Sequence, residues 1–270
     1  MHRRAALFLT GVFLLSSAVG TCWATIPVTA RAYAVVDAGD GRILSGKNPR
    51  LKLPPASTAK LMTVLIVKEK LSMSDRVVIG RNAAKAPPSS AGLTAGASYA
   101  VRDLITACLV SSSNDAAVAL AEAVSGSEGE FSKWMNRRAQ DLGMKDTFFA
   151  NATGLTDKKR PQYTTAYDLT KLMREVVRDK YLDELMGISQ TAIRGSDGKE
   201  IGLRAHNKML WRMPKFVKGK TGWTYASRHT FVGTNYAPDK LIAFAMLSSK
   251  KPWTDIERLA TFGLILERRR

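Results

Sequence analysis

One seven-residue stretch, Pro-Pro-Ala-Ser-Thr-Ala-Lys at residues 54–60, constrains this chain more than any other part of it. Two consecutive prolines favour extended backbone and then pre-set the angles with which a helix begins. From Ala59 onward apolar residues recur every three or four positions, which predicts a helix. We therefore expect Ser57 at a helix start and Lys60 one turn further along the same face.

This Ser-x-x-Lys spacing permits a specific chemistry. A serine hydroxyl is a poor nucleophile until a base removes its proton, and a partly desolvated lysine can act as that base. The ordinary alternative is a serine that caps the helix, followed by a surface lysine. The motif alone does not decide between these two interpretations, so the rest of the chain has to.

The composition predicts a globular protein with a large core. The chain has 270 residues, of which 45% are hydrophobic and 24% charged. The formal net charge of +18 suggests three kinds of partner: nucleic acid, an anionic membrane face or an acidic polymer. The sequence contains no zinc-finger spacing, RNA-binding aromatic signature or basic helix with periodic arginines, so no nucleic-acid partner is predicted.

Residues 1–24 have the pattern of a secretory signal peptide, which leaves 25–270 as one domain. Two arginines precede an apolar run at 5–19, and small residues flank Trp23. The alternatives are an uncleaved anchor or a lipid on Cys22. Cleavage after Ala24 leaves Cys108 as the single cysteine, so no intramolecular disulfide is expected. We expect export to the periplasm or to the outer side of the cytoplasmic membrane.

Strand patterns at both ends of the chain enclose a largely helical middle. Strands at both ends predict a single sheet built from both chain ends and flanked by helices. The predicted elements are a hairpin at 34–44, a helix from 59, a short strand at 77–79, helices at 101–109, 116–124, 131–142 and 167–178, short strands within 187–202, strands at 216–222, 229–236 and 241–247 with a turn at 237–240, and a closing helix at 252–266.

Two further short motifs follow the serine helix in order. Ser112-Ser113-Asn114 interrupts two helices that are predicted to be buried, and Lys220-Thr221-Gly222 lies on a predicted strand. Each motif is weak by itself, since Ser-x-Asn is common in loops and caps. Together, and in this order, they form the motif set of β-lactamases and penicillin-binding proteins.

With these motifs the chain resembles the low-molecular-weight penicillin-binding proteins, the serine D-Ala-D-Ala carboxypeptidases of peptidase family S11. The resemblance runs from about residue 31 to 263 and includes flanking segments at 101–104, 113–117, 162–168 and 207–210. It implies an α/β (α+β) fold of the β-lactamase/DD-peptidase type, in which an all-helical lobe accompanies the antiparallel sheet. Because the chain stops at Arg270, we expect neither a C-terminal β domain nor a membrane-anchoring amphipathic helix.

The resemblance also implies catalytic roles. Ser57 would attack the carbonyl of the penultimate D-Ala and become an acyl-enzyme, while Lys60 takes its proton. Ser112 would pass a proton to the departing D-Ala nitrogen. Asn114 would hold Lys60 on one side and the substrate's peptide carbonyl on the other.

The third motif is expected to bind substrate. Lys220 would supply positive charge, and Thr221 a hydroxyl, to the substrate's terminal carboxylate. Gly222 would let the substrate lie against the strand as an added strand. The backbone N–H groups of Ser57 and Trp223 would hold the oxyanion.

One pair of residues departs from the family pattern. Ser227-Arg228 stands where carboxypeptidases of this type usually have Ala-Gly. Arg228 is either a second carboxylate anchor or a solvated loop cation, and we prefer the second interpretation because exposed arginine is the norm.

The resulting hypothesis is an exported carboxypeptidase that trims peptidoglycan stem peptides and is covalently inhibited by β-lactam antibiotics. We expect a monomer without metal or cofactor, held to the envelope by charge alone. Zinc peptidases are excluded because only His206 and His229 follow the signal segment.

Three alternatives stay open. A D,D-endopeptidase needs the same residues and a longer groove. A β-lactamase of class A would need a Glu-x-x-Leu-Asn motif between Asn114 and Lys220, which the sequence lacks. A catalytically silent peptidoglycan-binding protein would not need the complete motif set that is present.

Overall fold

The structure is a computed structural model that describes residues 25–214, 216–236 and 241–268. The predicted signal peptide at 1–24 and the predicted turn at 237–240 therefore lie outside the described residues. Within them, no helix is long and apolar enough to cross a membrane.

The described strands form one large sheet and two small ones. In chain order the strands are β1 (Ala32–Asp37), β2 (Ile43–Lys47), β3 (Arg76–Val78), β4 (Ser98–Ala100), β5 (Gln190–Arg194), β6 (Glu200–Arg204), β7 (Val217–Thr224), β8 (Arg228–Tyr236) and β9 (Leu241–Ser249). The large sheet has the order β2-β1-β9-β8-β7, and its strands pair antiparallel throughout. The prediction of one sheet assembled from both chain ends is confirmed.

The helices surround this sheet. They are α1 (Lys60–Lys70), α2 (Arg81–Ala84), α3 (Val101–Val110), α4 (Asn114–Ser125), α5 (Glu128–Asp141), α6 (Ala166–Val176), α7 (Lys180–Leu185), α8 (Met209–Arg212) and α9 (Pro252–Arg268), and a short 3₁₀ turn (Ala56–Ala59) precedes α1. Helices α6 and α9 both contact the central strands β1 and β9, whereas α1, α3, α4 and α5 pack against one another as a helical lobe.

The central strands are buried on both faces. Along β1, Ala32 and Ala34 belong to the core beneath the helical lobe, whereas Tyr33 and Val35 belong to the core beneath α9. Successive strand residues point to opposite faces, so a strand with both faces covered becomes apolar at every position. The sheet is therefore a rigid support whose edge strand, β7, remains open to the cleft.

Two helices differ from the sequence-based expectation because polar side chains cap them. Helix α5 begins at Glu128, three residues earlier than predicted, since the Ser127 hydroxyl accepts a hydrogen bond from the Glu130 N–H at 3.2 Å. The short helix α7 was not predicted. It begins after Asp179, whose carboxylate accepts from the Leu182 N–H at 3.2 Å.

Candidate active site

Ser57 lies in the 3₁₀ turn that leads directly into α1. Its hydroxyl accepts a hydrogen bond from Lys60 Nζ at 3.1 Å, as expected for residues three apart on one helical face. Ala56, the preceding residue, has a φ of +48°, in the left-handed region that non-glycine residues rarely adopt. Such backbone strain concentrates at functional sites, where the surroundings hold it in place.

Lys60 is completely buried, at 0% exposure, and its ammonium group is fully hydrogen-bonded. Besides Ser57 Oγ, it donates to Asn114 Oδ1 at 2.6 Å and to the Thr153 carbonyl at 3.0 Å. An ammonium has three protons, so these three acceptors use all of them. Burial disfavours the charged form and lowers the pKa of Lys60 to about 8. A base that titrates near neutral pH therefore lies against the serine hydroxyl.

The second motif occupies the break between α3 and α4. Ser112 is buried with a φ of +61°, and its hydroxyl accepts a hydrogen bond from Lys220 Nζ at 2.7 Å. Asn114 is the first residue of α4, and its amide nitrogen donates to the Pro87 carbonyl at 2.9 Å. The Asn114 amide thus bridges Lys60 and the loop that precedes α3.

The third motif lies on the edge strand β7. Lys220 is 2% exposed and donates to Ser112 Oγ and, at 3.0 Å, to the Thr221 carbonyl. Burial first, and then the charge of Lys60, lower the pKa of Lys220 well below its usual value. Thr221, rather than Lys220, lines the cleft. The Lys220 ammonium, which was predicted to bind the substrate carboxylate, therefore lies buried behind Ser112, beside the part of the cleft wall that Thr221 forms.

Gly222 permits the closest approach between the third motif and the nucleophile. A Cβ at this position would lie 2.4 Å from Thr230 Oγ1 and 2.8 Å from the backbone nitrogen of Ser57. A Cβ atom does not approach other non-bonded atoms this closely in real structures, so only glycine allows β7 to pack against the 3₁₀ turn. Trp223 follows immediately and lines the cleft with half of its side chain exposed.

Sequence reasoning missed a fourth segment of the site, the loop at 151–155. Its Thr153 carbonyl holds Lys60, and the next residue, Gly154, has a φ of +80°. A Cβ on Gly154 would lie 1.9 Å from the Ala56 carbonyl oxygen. The Asn151 carboxamide oxygen accepts from the Gly154 N–H at 2.8 Å and from Thr153 Oγ1 at 3.0 Å.

A residue of helix α5 also holds this loop in place. Glu128 accepts a hydrogen bond from the Ala152 N–H at 3.1 Å, and burial raises the pKa of the Glu128 carboxyl. The signal that could have identified the loop is Asn151 followed three residues later by a glycine, a spacing typical of an Asx-stabilised turn.

The motif residues surround one cleft of about 530 Å³. Its lining includes Ser57, Ser112, Asn114, Thr221, Gly222 and Trp223, so the structure brings together members of all three motifs. Arg228 lies apart from this set, exposed at the β7–β8 hairpin with a φ of +57°. Glycine, which the family usually has there, adopts that conformation without strain.

The comparisons with known proteins point in one direction. The sequence model of the family described as Peptidase_S11, D-alanyl-D-alanine carboxypeptidase, matches residues 20–250. A D-alanyl-D-alanine carboxypeptidase of Bacillus subtilis is 32% identical over 85% of this chain, and the aligned part is 61% of that protein. A D-alanyl-D-alanine endopeptidase of Pseudomonas aeruginosa is 35% identical over 83% of this chain and 74% of its own length.

The fold agrees with the sequence comparison. The solved structure of a D-alanyl-D-alanine carboxypeptidase from Mycobacterium tuberculosis matches with a TM-score of 0.84 and 27% identity, over 91% of this chain and 95% of that chain. Both the resemblance inferred from the motifs and the predicted fold class are thereby confirmed. This chain belongs to the peptidase S11 family, the serine-type D-alanyl-D-alanine carboxypeptidases.

Proposed function

We propose that this chain is an exported D,D-carboxypeptidase that removes the terminal D-Ala from peptidoglycan stem peptides through an acyl-enzyme on Ser57. The observation that carries the proposal is the contact between Ser57 Oγ and the buried Lys60 Nζ, 3.1 Å apart. The pKa of about 8 for Lys60 leaves a usable neutral fraction at neutral pH. Export is supported by the sequence pattern of residues 1–24.

Acylation begins when neutral Lys60 removes the Ser57 proton. The Ser57 oxygen attacks the carbonyl carbon of the penultimate D-Ala, and the backbone N–H groups of Ser57 and Trp223 stabilise the oxyanion. When the C–N bond breaks, the departing nitrogen takes the Ser112 hydroxyl proton. Lys220, which already donates to that hydroxyl at 2.7 Å, replaces the proton.

Deacylation reverses both proton movements. Water attacks the ester carbonyl and gives a proton to Lys220 through Ser112, while Lys60 returns its proton to Ser57 as the ester bond breaks. Each lysine ends in its starting state, and the net reaction consumes one water for each D-Ala released. The mechanism thus needs two lysines of depressed pKa, one on each side of the scissile bond.

Substrate recognition depends on β7 and Thr221. An extended peptide can add to this edge strand at Gly222, and its terminal carboxylate then meets the Thr221 hydroxyl. A bound carboxylate beside Lys220 favours the charged form of that lysine. β-Lactam antibiotics, which acylate the same serine, are proposed as covalent inhibitors.

A D,D-endopeptidase acting on cross-links is the second candidate, and the Pseudomonas aeruginosa relative named as an endopeptidase favours it. Two assays with purified protein separate the two functions: D-Ala release from a pentapeptide and cleavage of a cross-linked dimer. The proposal predicts faster turnover of the pentapeptide. Turnover of the dimer alone would assign the endopeptidase function instead, and turnover of neither substrate would contradict both.

A further inference from the structure

Helix α4 carries a buried carboxylate for which the proposed mechanism has no use. Asp115 follows Asn114 in the first turn of α4 and is only 1% exposed. Within the described residues, no lysine, arginine or histidine forms an ion pair with it. A buried charge is costly unless it is paired or well hydrogen-bonded, so its contacts identify what it stabilises. They lead to the loop at 87–93.

Three consecutive residues of this loop donate hydrogen bonds to Asp115. Its Oδ1 accepts from the Ala91 N–H at 3.0 Å, and its Oδ2 accepts from the N–H groups of Gly92 and Leu93 at 2.9 and 3.1 Å. Oδ1 also accepts from the Ala116 N–H at 2.9 Å. All four donors are backbone N–H groups, and an ionised carboxylate offers acceptors only. The carboxylate therefore ties the loop to the start of α4.

The 87–93 loop in turn holds Asn114. The Ser89 carbonyl accepts from the Asn114 backbone N–H at 2.7 Å, and the Pro87 carbonyl accepts from Asn114 Nδ2 at 2.9 Å. A carboxamide can bond through its nitrogen or its oxygen, and the Pro87 carbonyl can accept only from the nitrogen. The carboxamide oxygen is thereby directed to Lys60 Nζ, 2.6 Å away. Ser89 also lines the cleft, so the same loop forms part of the cleft wall.

The charge of Asp115 also acts on Lys60. Burial lowers the pKa of Lys60 most strongly, and the negative charge of Asp115 opposes part of that effect. The other titratable groups that interact electrostatically with Lys60 are Cys108 of α3, Glu128 of α5, Lys220 of β7 and His206, which precedes α8. Burial raises the pKa of the Cys108 thiol to about 12, so below about pH 10 this thiol is uncharged. Among these groups the negative charge then comes from Glu128 and Asp115.

From these contacts we propose that Asp115 is a positioning residue for acylation, whose carboxylate holds the 87–93 loop and, through the Pro87 carbonyl, keeps the Asn114 carboxamide oxygen on Lys60. The inference rests on the proposed function and deepens it by adding a residue outside the three motifs. Asp115 acts through Asn114 rather than on the nucleophile itself. Because all four of its partners are N–H donors, an asparagine in its place would turn its own N–H groups towards two of them. The loop would then lose part of its attachment although the shape of the side chain is unchanged.

The test uses Asp115→Asn, with Asp168→Asn as the matched control. Asp168 is also 1% exposed and accepts from a backbone N–H, that of Asp146 at 2.9 Å, but it lies on α6. The measured quantities are the melting temperature and the second-order rate constant for labelling by a fluorescent penicillin from pH 6 to pH 10.

We expect Asp115→Asn to change the rate profile in two ways. The plateau at high pH should fall at least about tenfold, because small displacements of catalytic groups are costly. The acid limb should move to lower pH, because the lost charge and the weakened Asn114 contact both disfavour the ammonium form of Lys60. Asp168→Asn should leave the plateau within about twofold of wild type and the acid limb in place. A purely structural role would lower the amount of protein that labels, but not the rate constant or the acid limb of the folded protein.

A second pair of variants decides the matter if Asp115→Asn does not fold. Gly92, in the 87–93 loop, and Gly126, at the C-terminal end of α4, both have a φ of +77° and open space where a Cβ would lie. Alanine strains both positions alike, so the two variants should lose similar amounts of melting temperature. Only Gly92→Ala should slow labelling, by about threefold or more, because only Gly92 donates to Asp115.

The outcomes separate the inference from the proposed function. Where Asp115→Asn folds, a wild-type plateau and an acid limb in the wild-type position would overturn the inference. Where it does not fold, equal labelling rates of Gly92→Ala and Gly126→Ala would do the same. Wild-type protein that neither labels nor releases D-Ala from a pentapeptide would instead refute the proposed function itself.

Discussion

The pH dependence of acylation follows directly from the burial of Lys60. Moving the pKa of Lys60 from 10.5 to about 8 corresponds to about 3 kcal/mol against the charged form. The base acts only when neutral, so the acylation rate is lost as the pH falls through 8. With that pKa the neutral fraction is about 90% at pH 9 and about 1% at pH 6, a difference of roughly ninetyfold.

The assay is the second-order rate of labelling by a fluorescent penicillin, measured from pH 6 to pH 10. A rate that is constant over this range, or that is still rising tenfold per pH unit at pH 10, would refute the role given to burial. The variant Lys60→Arg keeps a cation but cannot act as the base near neutral pH. It should label at least a thousandfold more slowly at each pH, which would assign the titration to Lys60.

Glu128→Gln refines the same experiment. The Glu128 charge favours the ammonium form of Lys60 and so raises its pKa. Glutamine retains an oxygen that can accept from the Ala152 N–H but carries no charge. The acid limb of the rate profile should therefore move to lower pH in this variant, and a shift to higher pH would contradict the electrostatic argument.

Three further predictions concern the loop, the substrate anchor and the location. Gly154→Ala should lower both the melting temperature and the acylation rate, because the new Cβ would meet the Ala56 carbonyl. The control Gly198→Ala has a similar φ of +78° but lies in open space, so it should cost only about 1 kcal/mol of stability. Equal effects of the two substitutions would contradict the packing argument. Lys220→Gln should lower kcat/KM on the peptide with a free terminal carboxylate about thirty- to a thousandfold, and should bring it close to kcat/KM on the amidated peptide. If the variant keeps the full preference for the free acid, the carboxylate anchor lies elsewhere, and Arg228 is the first residue to test. If the protein is exported as proposed, it should wash off the envelope at high salt, and retention in the membrane pellet would favour an anchor or a lipid on Cys22.

The elements of the fold that sequence could predict are those with a local signal. The strands at both chain ends and the break at 111–115 are visible as apolar runs and turn residues, so the sheet and the position of Ser112 follow. The pairing of Ser57 with Lys60 follows from helical spacing alone. Short capped elements such as α7 have too few residues for a periodic signal, and Asp179 is the only local indication of it.

The contacts that sequence could not predict are long-range or involve the backbone. Thr153 reaches Lys60 through its carbonyl, which every residue has, across 93 positions of the chain. The contact between Lys220 and Ser112 spans 108 positions and depends on the register of an edge strand. The sequence predicts that both Lys220 and Thr221 serve the substrate carboxylate, but it does not predict their arrangement, in which alternation along β7 buries the Lys220 side chain and leaves that of Thr221 lining the cleft.

The central claim is that Ser57 forms the acyl-enzyme, and mass spectrometry after incubation with a β-lactam tests it most directly. The intact wild-type protein should gain the mass of one β-lactam, and proteolysis should place that mass on the peptide that contains Ser57. Ser57→Ala, with an unchanged melting temperature, should gain none. A stable adduct on any other residue, or labelling of Ser57→Ala at the wild-type rate, would contradict the account.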